Sequence, residues 1–223
     1  MDRKKDIIQA LNDLSGRYSA YEVFSDWVRT SAVAVQNASV MIHDKVWEKR
    51  ESDYMDTMKR YSPGEQDKMS EMFYLLVETM EEGYDDVLGS IFMQAGLGSG
   101  ITGQFFTPYD ISRLCGRMAV DNQIEGYHEG DLITLHEPTC GSGGMIIAAA
   151  ECLKERGINY QRVLEVVAQD LDWRCVYMTY LQLSLYGIKA LVVQGDTLAD
   201  PYIEGRTEKS RIMRTPAWMG ALL

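Results

Sequence analysis

The chain has 223 residues, 46% hydrophobic and 25% charged, the composition of a folded globular protein with room for one large domain or a small and a medium one. It has no apolar run near the roughly 18 residues of a membrane span, and its start, MDRKKDIIQALNDL, has no hydrophobic signal core, so a cytoplasmic location is expected. A net charge of −11 argues against an isolated nucleic-acid binder, whose affinity comes mostly from neutralising phosphates; any action on DNA needs another subunit or segment to do much of the holding.

Residues 1–100 read as an all-α N-terminal domain. Ile7, Ile8, Leu11 and Leu14 share one helical face, and Tyr21, Phe24, Val28 and Val35 continue the pattern. Ser62, Pro63 and Glu65 form a helix start with a capping box. Behind it Met69, Met72, Phe73, Leu76 and Met80 make an apolar stripe, which assigns these methionines to a core. A short helix from Asp85 to Ala95 stops at GLGSG.

Residues 101–223 change character. Thr107, Pro108 and Asp110 predict another capped helix start. Three strand-like runs follow: DLITLHE, RVLEVVAQD and IKALVVQGD. Two helices separate them, one stopped by Gly157 and one by Gly187. This alternation predicts an α/β fold, part of a doubly wound parallel sheet with right-handed crossovers. Such sheets bind ligands outside the carboxyl ends of their strands. Here the first strand ends in HEPTCGSGG (136–144), the second in Asp170 and the third in Asp196.

The cysteines at 115, 140, 152 and 175 form no CxxC pair, and the histidines at 43, 128 and 136 are scattered, so no metal site and no disulfide framework is expected. The glycine loop lacks the lysine of a phosphate-binding P-loop and the third glycine of a dinucleotide loop. Glu137 and Asp170 would oppose an anion. They suit S-adenosylmethionine, which carries a sulfonium, an ammonium group and a ribose diol, and no phosphate. Glu137 faces the positive end, and Gly141 and Gly143 let the backbone approach. Asp170 accepts from the ribose hydroxyls, and Asp196 from the adenine amine.

Four segments in this order, GQFFTPYDIS (103–112), EPTCGSGGM (137–145), AQDLDW (168–173) and QGDTL (194–198), resemble the gamma-class N6-adenine DNA methyltransferases, closest to the modification subunit of type I restriction–modification systems. The resemblance runs from about residue 85 to 200. It implies the Rossmann-like fold of class I S-adenosylmethionine-dependent methyltransferases, and a cofactor site that includes Gln104, Phe105, Phe106, Thr107 and Pro108. From the loop it adds Thr139, Cys140 and Ser142. It further implies DNA as substrate, bound with a specificity subunit or a segment outside this chain. The family's catalytic sequence, Asn/Asp-Pro-Pro-aromatic, does not occur. The nearest match is TPAW, which nominates Thr215, Pro216 and Trp218. Only five residues follow Trp218, so the sheet is expected to be incomplete, with a protein partner or a second copy covering it. The chain then reads as a modification-subunit fragment, a half-domain completed by a partner, or an inactive cofactor-binding module or decoy.

Overall fold

A computed structural model describes residues 2–98 and 105–220. Five helices come first: α1 (Arg3–Leu14), α2 (Ala20–Ser39), α3 (Lys45–Met58), α4 (Pro63–Glu81) and α5 (Val87–Gln94). α1 buries Ile7, Leu11 and Leu14, the face its spacing predicts. α4 starts at Pro63 with the Ser62–Glu65 capping box formed, and buries Met69, Met72, Leu76 and Met80. α3 is not signalled by the sequence, because it buries only Thr57. It is started by Asp44, whose carboxylate accepts from the Val46 and Trp47 amides, and held by packing on α2.

The second part comprises α6 (Tyr109–Gln123), β1 (Ile133–Glu137), α7 (Gly144–Glu155), the single turn α8 (Tyr160–Val163), β2 (Leu164–Asp170), α9 (Trp173–Leu185), β3 (Lys189–Gln194) and β4 (Ile212–Arg214). The predicted capping at Thr107 does not form. α6 starts at Tyr109, with Pro108 in the cap position and no side-chain cap. Asp172 does cap α9, accepting from the Arg174 amide.

The strand order is β1-β2-β3-β4. β1, β2 and β3 are parallel, while β4 runs antiparallel to β3, with Val193 opposite Ile212 and Leu191 opposite Arg214. The direction of β4 follows from its connection. A parallel strand needs a crossover back to the other edge. Residues 195–211 contain only a 3₁₀ turn at Lys209–Arg211, and Arg211 ties them to the carboxyl end of β3 by donating to the Gln194 carbonyl at 2.7 Å. The chain therefore re-enters the sheet from that same edge.

Both crossover helices lie on one face, as successive right-handed crossovers in one direction require. Val166, Ala168, Ala190 and Val192 face them, in a hydrophobic cluster that extends from Ile7 of α1 to Met213 of β4, and α2 packs on α9. On the opposite face Leu191, Val193 and Ile212 form a small second cluster with Tyr202 and Trp218, and Thr134 and His136 of β1 are exposed. The two outer strands also differ in their edges. On β4, the Ile212 carbonyl accepts from the Arg50 guanidinium at 2.8 Å, and the Arg214 amide donates to the Gln36 side chain at 2.9 Å. β1 has no partner on its outer side among the described residues.

Candidate functional site

β1 delivers Glu137 to the carboxyl edge, and the chain turns through 138–143 into α7. The turn uses left-handed backbone at Gly141 (φ 55°) and Gly143 (φ 96°), which favours glycine at both. A Cβ on Gly141 would stand 3.2 Å from the Phe106 ring, and one on Gly143 would stand 3.3 Å from the Thr179 hydroxyl oxygen. The loop is pinned from three sides. Cys140 N–H donates to the Gln169 carbonyl at 3.0 Å, Thr179 Oγ1 donates to the Gly141 carbonyl at 2.9 Å, and Gly141 N–H donates to Asp170 Oδ2 at 2.9 Å.

A cavity of about 220 Å³ opens beside this loop. Phe105, Phe106 and Thr107 line one side, with Glu137, Thr139, Cys140, Gly141 and Ser142 across from them. Two segments about thirty residues apart in sequence thus line one cavity. Phe106 also stands edge-on to Phe92 of α5, with centroids 5.2 Å apart. Glu137 Oε1 accepts from the Thr139 amide at 3.3 Å, and burial pushes its carboxyl above the usual range. Burial likewise pushes the Cys140 thiol up, away from thiolate character, which makes it a wall residue and not a nucleophile.

The remaining predicted residues are placed differently. Asp170 holds the loop from outside the cavity, its other oxygen accepting from Asp172 N–H at 3.0 Å. Asp196 is exposed past the end of β3 and accepts from the Leu198 and Ala199 amides. Gly143 is the N-cap of α7, and Pro108 is the N-cap of α6. Gln104 lies outside the described residues.

Thr215, Pro216 and Trp218 do not join the site. They follow β4, which runs back toward the amino end of β3. Thr215 N–H donates to the Ala190 carbonyl, and Thr215 Oγ1 accepts from Ala190 N–H at 2.9 Å and donates to the Ile188 carbonyl at 2.8 Å. A strand length, roughly 15–20 Å, separates this position from the glycine loop. The Thr215 side chain is buried and committed to the sheet, and Trp218 packs on the small cluster. Thr215→Val is expected to lower stability by about 1–3 kcal/mol, by stranding a buried amide and a carbonyl, with ligand affinity unchanged. Urea denaturation and ligand titration of the same sample check both halves.

The sequence reading missed the floor of the cavity. Asp86, the N-cap of α5, is buried there and joins three elements. Its Oδ1 accepts from Gly89 N–H at 2.9 Å and from Gln182 Nε2 at 2.9 Å, while Oδ2 accepts from the Ser142 hydroxyl in a short contact. Gln182 in turn donates to the Ser142 carbonyl at 2.7 Å and accepts from Leu88 N–H at 3.0 Å. Burial pushes the Asp86 carboxyl up, and the three donors pull it back only in part. Asp86 is legible in sequence as a helix cap before Val87 and Leu88; nothing local announces a partner 56 positions away. Beside it Ser112 Oγ lines the same cavity, buried and without a hydrogen-bond partner among the described residues.

A model of the N-6 DNA methylase family matches residues 79–221, which include the cavity, the glycine loop and all four strands. No curated protein matches the chain. Among solved structures, the chain is similar to a protein assigned as a class I S-adenosylmethionine-dependent methyltransferase from Listeria monocytogenes, at 13% identity and a TM-score of 0.50, over 91% of this chain and 56% of that one. It is also similar to the methyltransferase subunit of a type I restriction-modification system from Streptococcus thermophilus, at 17% identity and a TM-score of 0.47, over 91% and 41%. The chain spans about half the length of these structures. The first likeness bears on the fold alone, which is Rossmann-like α/β with one antiparallel strand. By the match over residues 79–221, the chain belongs to the N-6 DNA methylase family.

Proposed function

We propose that the cavity binds S-adenosylmethionine and that the chain supplies the cofactor-holding half of an adenine-N6 DNA methyltransferase. The observation that carries this reading is the meeting of Phe106, Gly141 and Glu137 around one small cavity, with no basic side chain among the described residues that line it. An acidic wall and an aromatic wall suit a cationic, phosphate-free ligand. The unpartnered Ser112 hydroxyl supplies a further polar contact at its floor. Glu137 would meet the ammonium end, and Asp170, with lone pairs left after its two amide bonds, would take the ribose hydroxyls. Asp196 lies farther along the same edge for the adenine amine. When bound, the cofactor offers an electrophilic methyl group; this chain's residues orient it and keep its charged end paired.

The placement of TPAW supports a second reading. With Thr215 locked into the amino edge of the sheet, the chain binds cofactor while the groups that grip the target base come from a partner, or turnover is absent and the chain docks on a restriction–modification complex as a decoy. Labelled S-adenosylmethionine, DNA and a specificity subunit separate the two. Label in DNA supports the enzyme; cofactor binding with no transfer supports the module; no cofactor binding overturns both.

The raised Glu137 carboxyl gives a pH test. A cation at Glu137 favours the ionised form, so cofactor affinity is expected to rise as pH climbs through the elevated Glu137 value and to level off above it. Glu137→Gln should bind more weakly and lose that rise. Calorimetry from about pH 4.5 to 8, a window that starts just above the ordinary carboxylate value of roughly 4, reads both.

A further inference from the structure

A second cavity among the described residues is larger than the one beside the glycine loop. It is a cleft of about 770 Å³ between α2, α3 and the start of α9, and its lining includes Arg29, Lys45, Lys49, Arg50 and Arg174. Five cations stand there against three carboxylates, Asp26, Asp53 and Asp172, in a chain with 33 acidic and 22 basic residues. The acids do not neutralise it evenly. Asp53 engages Lys49 and, at 3.6 Å, Arg29. Lys45 and Arg50 take part in no ion pair among the described residues, and the half-buried Arg50 guanidinium donates to the Ile212 carbonyl. A guanidinium has five N–H donors, and one withdrawn from water without an anion leaves most of them unused. Two aromatic rings complete the cleft. Trp173 and Tyr177, one helical turn apart on α9, stack with centroids 5.2 Å apart and planes 24° from parallel. Trp173 follows Asp170 by three positions, so the cleft opens next to the carboxyl edge that carries the glycine loop.

We propose that this cleft holds a strand of DNA, with phosphates over Lys45, Lys49 and Arg50 and a base against the Trp173–Tyr177 pair. Cations beside a stacking platform are what a single strand requires, since charge tracks its backbone and every base has a π-face. Placement beside the carboxyl edge suits a strand whose extrahelical base is presented to the methyl donor. The choice of DNA as the ligand rests on the methylation reading; the cleft, the absence of ion pairs at Lys45 and Arg50 among the described residues, and the rings do not. The overall charge of −11 opposes the strand and sets the affinity low, which accords with a need for a further subunit.

The test is fluorescence anisotropy with a labelled single-stranded oligodeoxynucleotide of about 12 residues, sized to cover the cleft with flanking charge. Lys45→Gln/Lys49→Gln removes two exposed lysines that carry no core contact, and circular dichroism confirms the fold. Binding by the wild type should weaken linearly in log–log salt plots, and the double variant should bind on the order of tenfold more weakly, with a slope shallower by about 1.4, or 0.7 per lost phosphate contact. Equal affinity of variant and wild type, or no binding by the wild type at low salt, overturns the proposal. S-adenosylmethionine affinity of the double variant is measured alongside. It should be unchanged, so a failed DNA result with intact cofactor binding sinks the cleft and leaves the proposed function standing.

Discussion

Asp86→Ala is expected to destabilise the protein by about 3–5 kcal/mol and to abolish measurable cofactor binding at room temperature. The replacement strands Gly89 N–H and one Gln182 donor and frees the Ser142 hydroxyl, all in a buried region, and each unsatisfied group costs about 1–3 kcal/mol. It also leaves a void under the glycine loop. The effect is larger than that of an ordinary helix-cap loss of roughly 1 kcal/mol, because the same carboxylate holds α5, α9 and the loop together. Asp86→Asn separates charge from connectivity. Its oxygen can accept from Gly89 and Gln182 as Oδ1 does now, and its amide can donate to Ser142. The sign of the pH effect follows from the raised Asp86 value. The folded state holds a proton that the unfolded state has already lost, so the wild type is favoured below the unfolded value near 4 and loses that advantage as pH rises through the folded value. Relative to Asp86→Asn, the wild type should therefore weaken across that window. Thermal melts of the three proteins from pH 3.5 upward decide it; a wild-type advantage that grows with pH would be the opposite result.

Asp170→Ala should weaken S-adenosylmethionine binding on the order of 10- to 100-fold, the equivalent of 1–3 kcal/mol. Two losses combine. The ribose hydroxyls lose their acceptor, and Gly141 N–H loses the 2.9 Å bond that keeps the loop in its left-handed turn. Asp170→Asn retains an acceptor for Gly141 and should fall between wild type and alanine. An affinity for the alanine variant within twofold of wild type, by calorimetry, would remove Asp170 from the site.

What could be read from the chain alone was whatever local physics dictates. The stripe of α1, the capping box of α4 and the stops at Gly157 and Gly187 each depend on neighbours a few positions apart, and each stands where expected. The glycine loop was legible because absent lysine and present acids already limit its ligand. Direction in the sheet was not. β4 is three residues long, and only the anchoring of 195–211 by Arg211 and by Gln169, whose side chain bonds the Asp200 carbonyl and the Tyr202 amide, determines that it runs backwards. That one reversal carries Thr215–Trp218 away from the cavity. α3 escaped notice because it fully buries only Thr57 and so shows no apolar stripe, and Asp86 because its partners are distant in sequence.

The unequal edges of the sheet have a consequence for assembly. Arg50 and Gln36 occupy the outward carbonyl and amide of β4, so that side offers no template for another strand. Growth of the sheet is one-way and begins at β1. Any strand added there, whatever chain it belongs to, arrives about 4.8 Å from the strand that ends in Glu137. Association through the sheet and occupation of the pocket are then neighbouring events on one ribbon of backbone, and a ligand titration followed by light scattering would register them together.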